Sequence, residues 1–99
     1  MTYIDPVESS PNNYKLLLET DQARLLEMKI PAGQTDIEHS HPNELVYFIT
    51  GGKVRIHIPG ADDIEAELPD GAVMDHEPWT HTVENVGTTD VHAIIFELK

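Results

Sequence analysis

The 99 residues give room for one domain with a modest core, and not for two. A formal charge of −12, from 18 acidic against 6 basic residues, repels phosphate backbones and argues against a nucleic-acid partner. No run is long enough to span a membrane as a helix, "MTYIDPVESSPNNYK" has neither a basic leader nor an apolar stretch, and there is no cysteine. These features point to the cytoplasm and rule out thiolate metal sites and cysteine nucleophiles.

Residues 1–13, with Pro6, Pro11, Asn12 and Asn13, read as an irregular N-terminal arm, and 14–99 as a single domain. From Tyr14 the chain breaks into short runs punctuated by Gly, Pro, Asp and Asn, the pattern of an all-β domain. Strands are predicted at 14–19, 23–30, 45–50, 53–58, 63–68, 71–75, 81–85 and 91–98. The first two could be mistaken for one helix, because "NYKLLLETDQARLLEMK" is rich in good helix formers. The Thr20-Asp21-Gln22 punctuation divides it, and a hairpin is the reading adopted. Eight closely spaced strands suggest two packed sheets or a closed barrel.

The third region carries the chemistry. In "EHSHPNE", His39 and His41 point to the same side of an extended segment, so both can grip one ion. A bare H-x-H is also what a solvated, histidine-rich loop would show. Glu44 opens "ELVYFIT" in phase with Val46 and Phe48, which turns a carboxylate inward, where it needs a cation or hydrogen-bond donors. His81 opens a later strand and, taken alone, reads as an exposed strand end. His57 lies on the polar face of "KVRIHI" and His92 at a polar alternate of its strand, so both read as structural or exposed. His76, five residues before His81, is a candidate catalytic residue for proton transfer. Val46, Phe48, Val54, Ile56, Val73, Val83, Ile94 and Phe96 are the expected inward wall, and Trp79 either closes the cavity mouth or packs in a core or interface.

The spacing resembles the two motifs of the cupins. Gly33, "QTDIE", His39-Ser40-His41, "PN", Glu44, "LVYFIT" and Gly51 follow the first motif, with one residue fewer between His41 and Glu44. Gly71, "AVMDHE", Pro78-Trp79-Thr80, His81, "TVE" and Asn85 follow the second, without its usual glycine before the histidine. The resemblance covers about residues 23 to 98. More narrowly, "HSHPNELVYFITGGKVRIHIPG" and "HEPWTHTVENVGTTDVHAIIFELK" are similar to small cupins of the β-alanine degradation type.

The resemblance implies a double-stranded β-helix, the cupin jelly-roll barrel. It also implies a divalent transition metal ion held by His39, His41, Glu44 and His81. Nitrogen and oxygen donors without sulfur suit Fe(II), Mn(II), Ni(II), Zn(II) or Co(II) alike. A small-molecule substrate and a homodimer are implied as well. Two functions stay open: a metal-dependent enzyme with oxygenase-like, isomerase or hydrolase chemistry, and a non-catalytic cupin that senses or stores a small ligand.

Overall fold

Alternation of apolar side chains builds the strands, and the computed structural model, which describes residues 3–99, shows how they pair. Nine strands occur among the described residues: β1 (Tyr14–Glu19), β2 (Ala23–Ile30), β3 (His39–His41), β4 (Glu44–Thr50), β5 (Gly52–His57), β6 (Ile64–Leu68), β7 (Val73–His76), β8 (Trp79–Asn85) and β9 (Val91–Leu98). They form two antiparallel sheets, ordered β1-β2-β9-β4-β7 and β3-β8-β5-β6. Eight of these strands correspond to the predicted ones. The addition is β3, three residues between Glu38 and Pro42, too short to show an alternation of its own; it exists because it pairs with β8.

The disputed N-terminal stretch is a hairpin. Thr20 Oγ1 accepts from the backbone N–H of Gln22 and of Ala23, both at 3.2 Å, and the Thr20 N–H donates to the Ala23 carbonyl at 2.8 Å. The threonine thus satisfies the turn's donors, and the chain reverses where a helix would have continued.

Within the segment expected to be irregular, Pro6–Ser9 makes one helical turn, α1. Asp5 caps it, accepting from the Val7 N–H at 3.0 Å, and proline supplies the first position, where no N–H is needed. The arm is tied to β3 through the Ile4 N–H on Ser40 Oγ at 3.0 Å and the Ser40 N–H on the Ile4 carbonyl at 2.6 Å.

The core lies between the sheets. Leu26, Met28 and Ile30 of β2, Val46 and Phe48 of β4, Val54 of β5, Val83 of β8, and Val91, Ala93 and Ile95 of β9 fill it. The expected wall needs three corrections. Ile94 and Phe96 face outward, because the inward phase of β9 runs Val91, Ala93, Ile95, Glu97. Val73 is 74% exposed at an edge strand, and Met74 takes the inward place. The error has a physical source: β9 is apolar on both faces, so alternation alone does not reveal which one is buried.

That outward face is unusual. Leu45, Tyr47 and Ile49 of β4, Phe96 and Leu98 of β9, and Leu18 of β1 are all 39% exposed or more. Register aligns Leu18, Leu25, Phe96 and Leu45 in one row across four strands.

Candidate metal centre

Antiparallel pairing of β3 with β8 assembles the site. His39 stands opposite His81, and His41 opposite Trp79. The register brings together imidazoles 42 residues apart in sequence, with His39 completely buried and His41 and His81 at 3% and 4% exposure. The donor atoms of the three histidines lie within 4.8 Å of one another. Their rings meet edge to face, at centroid distances of 4.7 Å for His39–His41 and His39–His81 and 5.4 Å for His41–His81. They converge on a point and do not stack.

Hydrogen bonds orient the rings. A carbonyl can only accept, so His39 Nδ1 donates to the Ile37 carbonyl at 2.8 Å, which leaves the neutral ring's lone pair on Nε2. His41 Nδ1 donates to Glu97 Oε2 at 2.6 Å, freeing its own Nε2 in the same way. Glu97 is held in turn by Arg24 Nε at 3.2 Å, and the Arg24 guanidinium grips both oxygens of Asp5 at 3.0 Å. A carboxylate behind a ligating imidazole fixes its tautomer and raises its donor strength.

Burial holds His39 and His81 uncharged. It pushes His39 down to about 4, helped by the neighbouring His41 and opposed by the Ile37 hydrogen bond. It pushes His81 down to about 2, with His39, His41 and His76 adding to the effect. Neutral imidazole is the ligating form, so near neutral pH no proton competes at these two residues.

The donor set fits a transition metal ion. His81 Nδ1 is buried and has no hydrogen-bond partner among the described residues. His39 Nε2 and His81 Nε2 are 3.1 Å apart. Two nitrogens each about 2.1 Å from one ion sit about 3.0 Å apart at right angles, so this spacing needs little rearrangement to accept one.

Glu44 is buried and faces the same cavity as His41 and His81, but it is not part of the three-histidine group. Its Oε2 accepts from Trp79 Nε1 at 2.7 Å. Burial raises its carboxyl above the ordinary range, against the pull of His41 and the Trp79 N–H. His76 pairs with Glu44 in register across β4 and β7, yet it is exposed: it stacks on Trp79 at 3.5 Å and donates Nδ1–H to the Glu77 carbonyl. His57 and His92 lie away from the cluster, within hydrogen-bond reach of the carboxylates of Asp63 and Glu84 and of Glu27.

Three residues of the site escaped the sequence reading. Glu97 had a signal, since it is the acidic residue in phase with Val91, Ala93 and Ile95, the same logic that singled out Glu44. Asp36 and Tyr14 had none: Asp36 accepts from the Val83 N–H at 2.7 Å and from the Tyr14 hydroxyl at 2.8 Å, contacts that exist only after folding. Burial raises Asp36 to about 6, with those two donors and His41 working against it.

The cavity beside His41 and His81 measures about 80 Å³ and is walled mainly by apolar side chains such as Val46, Phe48, Met74 and Ile95, with Trp79 at its polar end.

No family model matches the chain, and no curated protein matches it by sequence. Solved structures do. A cupin domain from Bordetella pertussis Tohama I is similar with a TM-score of 0.77 at 20% identity, over 87% of this chain and 91% of that one. An RmlC-like cupin family protein with a double-stranded β-helix fold from Methanocaldococcus jannaschii gives 0.68 at 10% identity, over 86% and 77%. A predicted oxalate decarboxylase from Thermotoga maritima gives 0.58 at 24%, over 87% and 79%. With its two antiparallel sheets and these neighbours, the chain has the double-stranded β-helix fold of cupin domains.

Proposed function

We propose that this protein is a metal-dependent cupin acting on a small metabolite, with His39, His41 and His81 holding a divalent transition metal ion and Glu44 completing the set. The observation that carries this reading is the convergence of three buried imidazoles, two of which, His41 and His81, line an apolar cavity. A bound ion would supply Lewis acidity or a site for dioxygen. The chain's own part would be to keep two imidazoles neutral, to exclude bulk water, and to hold Glu44 beside them as the carboxylate of the set. Trp79 Nε1–H fixes one of its oxygens.

The apolar-walled cavity suits a small organic ligand, and small carboxylates and amines are the class proposed from the sequence resemblance. β-Alanine-related compounds enter as the first to assay, on sequence resemblance alone. A non-catalytic ligand-binding role is the second reading, favoured by His76 lying outside the cavity, which leaves the site few proton-transfer groups.

The test is the metal content of protein purified without added metal or chelator. Near-stoichiometric iron, manganese, nickel, zinc or cobalt is expected, lost in His81→Ala. Glu44→Gln is expected to weaken binding about 10–100-fold. A wild-type protein that carries no ion and takes none up would overturn the reading.

The same reading makes the chain a homodimer that buries the outer face of the five-stranded sheet. The exposed parts of Leu18, Leu45, Tyr47, Ile49, Val73, Phe96 and Leu98 amount to roughly 700 Å², near the ~800 Å² per partner of a standard interface. Only a self-complementary patch closes a two-fold pair, and a face this apolar is self-complementary without charge pairing. Sedimentation is expected to give a dimer, favoured by salt because both copies are strongly acidic. Tyr47→Lys with Phe96→Lys is expected to give a folded monomer with its metal content intact. A monomeric wild type at all salt concentrations would dismiss the dimer.

A further inference from the structure

The N-terminal arm touches the supports of the metal centre at three points. Ile4 exchanges hydrogen bonds with Ser40, the residue between His39 and His41, at 3.0 Å and 2.6 Å. Ser10 Oγ accepts the Ile37 N–H at 3.0 Å, and the Ile37 carbonyl in turn holds His39 Nδ1–H. Asp5 takes two hydrogen bonds from Arg24, whose Nε meets Glu97, the carboxylate that orients His41. Both imidazoles of β3 are thus held through partners linked to the arm.

α1 is a single turn, too short to persist as an isolated helix, so these contacts are what keeps the arm in place. The third contact also carries charge. The Arg24 hydrogen bonds hold the Asp5 carboxyl below its ordinary range, against partial burial, so it is ionised near neutral pH. Asp5 and Glu97 set two negative charges against the one positive charge of Arg24, which leaves a net negative charge behind His41. With the arm released, Arg24 and Glu97 cancel and that charge is gone. The side chains of Arg24 and Glu97 are 14% and 2% exposed, so solvent and salt screen the set weakly. A divalent cation on His41 is therefore favoured by the docked arm, and by linkage the cation favours docking to the same degree.

We propose that Asp5 is a positioning residue of the metal centre: by holding Arg24 it leaves Glu97 its negative charge for His41, and it makes docking of the arm and binding of the ion mutually supporting. The proposal rests on the metal-centre reading and extends it to a residue outside both histidine motifs. Asp5 never touches the ion; it acts through Arg24 and Glu97 in sequence.

The experiment uses the full chain with Zn(II) as the probe metal. Asp5→Asn removes the charge but keeps an efficient helix cap, so it separates a charge effect from the loss of α1. It is expected to bind Zn(II) at least about five-fold more weakly in chelator competition. Glu8→Gln removes a charge from an exposed position of the same turn and is expected to bind Zn(II) as the wild type does. In the wild type, saturating Zn(II) is expected to slow hydrogen exchange at the Val7, Ser9 and Ser10 amides at least about five-fold. These three donate to Asp5 and Pro6, within the arm itself, so their protection reports docking. Asp5→Asn with wild-type Zn(II) affinity, or arm amides that exchange alike with and without Zn(II), overturns the proposal while the three-histidine site stands. The exchange measurement needs only the wild type, so it decides the matter even if Asp5→Asn does not fold. A wild type that binds no Zn(II) overturns the site itself, and the role of Asp5 with it.

Discussion

Gly51→Ala is expected to destabilise the protein by about 3 kcal/mol or more, lowering the melting temperature by at least about 12 °C for a domain of this size. A Cβ at Gly51 would lie 1.8 Å from the Leu68 carbonyl oxygen, 2.7 Å from the Leu68 carbonyl carbon and 2.8 Å from that of Pro69. All three are backbone atoms, so no side chain can swing aside, and β4–β5 would have to part from the turn after β6. That turn is also clamped from Gly51 itself, whose N–H donates to Asp70 Oδ1 at 2.8 Å. Total stability of a domain this small is about 5–15 kcal/mol, so the loss is a large share of it. Gly60→Ala is the control: its φ of +75° strains an alanine, but nothing lies within 4 Å of the added carbon, and about 1–2 kcal/mol is expected. Thermal denaturation of the two variants side by side checks the account. Equal melting temperatures would show that the contact at Gly51 yields easily and that the argument is mistaken.

Glu97→Ala is expected to damage stability and metal binding together. Glu97 is 1% exposed and joins His41 Nδ1 to Arg24 Nε, so its removal leaves a buried imidazole N–H without an acceptor and Arg24 with Asp5 alone. Cutting one partner from a buried ionic pair costs about 3–5 kcal/mol. Losing the carboxylate behind His41 is expected to weaken metal affinity about 10–100-fold. Glu97→Gln separates the two effects. It retains volume and an acceptor oxygen, so most of the stability should return, while the loss of negative charge keeps affinity low. Chemical denaturation and metal competition read the two quantities independently. Affinity that survives in Glu97→Ala would mean that the carboxylate does not tune His41.

The sequence was most legible where one residue's local pattern settles its environment. "ELVYFIT" alternates cleanly, and Glu44, Val46 and Phe48 are buried as its phase demands. The H-x-H pair and the distant His81 are brought together, and Asn85, last residue of the second motif, is buried where its amide donates to the Ile30 and Thr89 carbonyls. Legibility failed where both faces of an element are apolar. Ile94 and Phe96 are larger than Ala93, so hydrophobicity points them inward, whereas the strand buries Val91, Ala93, Ile95 and Glu97, with Ala93 opposite Phe48. It failed again where a residue is defined by a partner far along the chain. Tyr14 meets Asp36 and His39 22 and 25 residues away, and Glu97 meets His41 56 residues away. No window of local sequence contains those pairs. His76 shows the converse: proximity in sequence to His81 does not place it in the cavity, because it stands exposed at the end of β7 with its ring stacked on Trp79.

The pairing of β3 with β8 has a topological consequence. Any ion shared by His39 and His81 ties together positions 42 residues apart. In the chain-entropy account of cross-links, closing a loop of that length removes about 4 kcal/mol of freedom from the unfolded ensemble, provided the tie survives unfolding. A metal tie does not survive it, since the ligands separate and the ion leaves. A chain without cysteine would therefore carry a cross-link that forms late, depends on the free concentration of metal, and adds resistance to unfolding only while that concentration exceeds the dissociation constant.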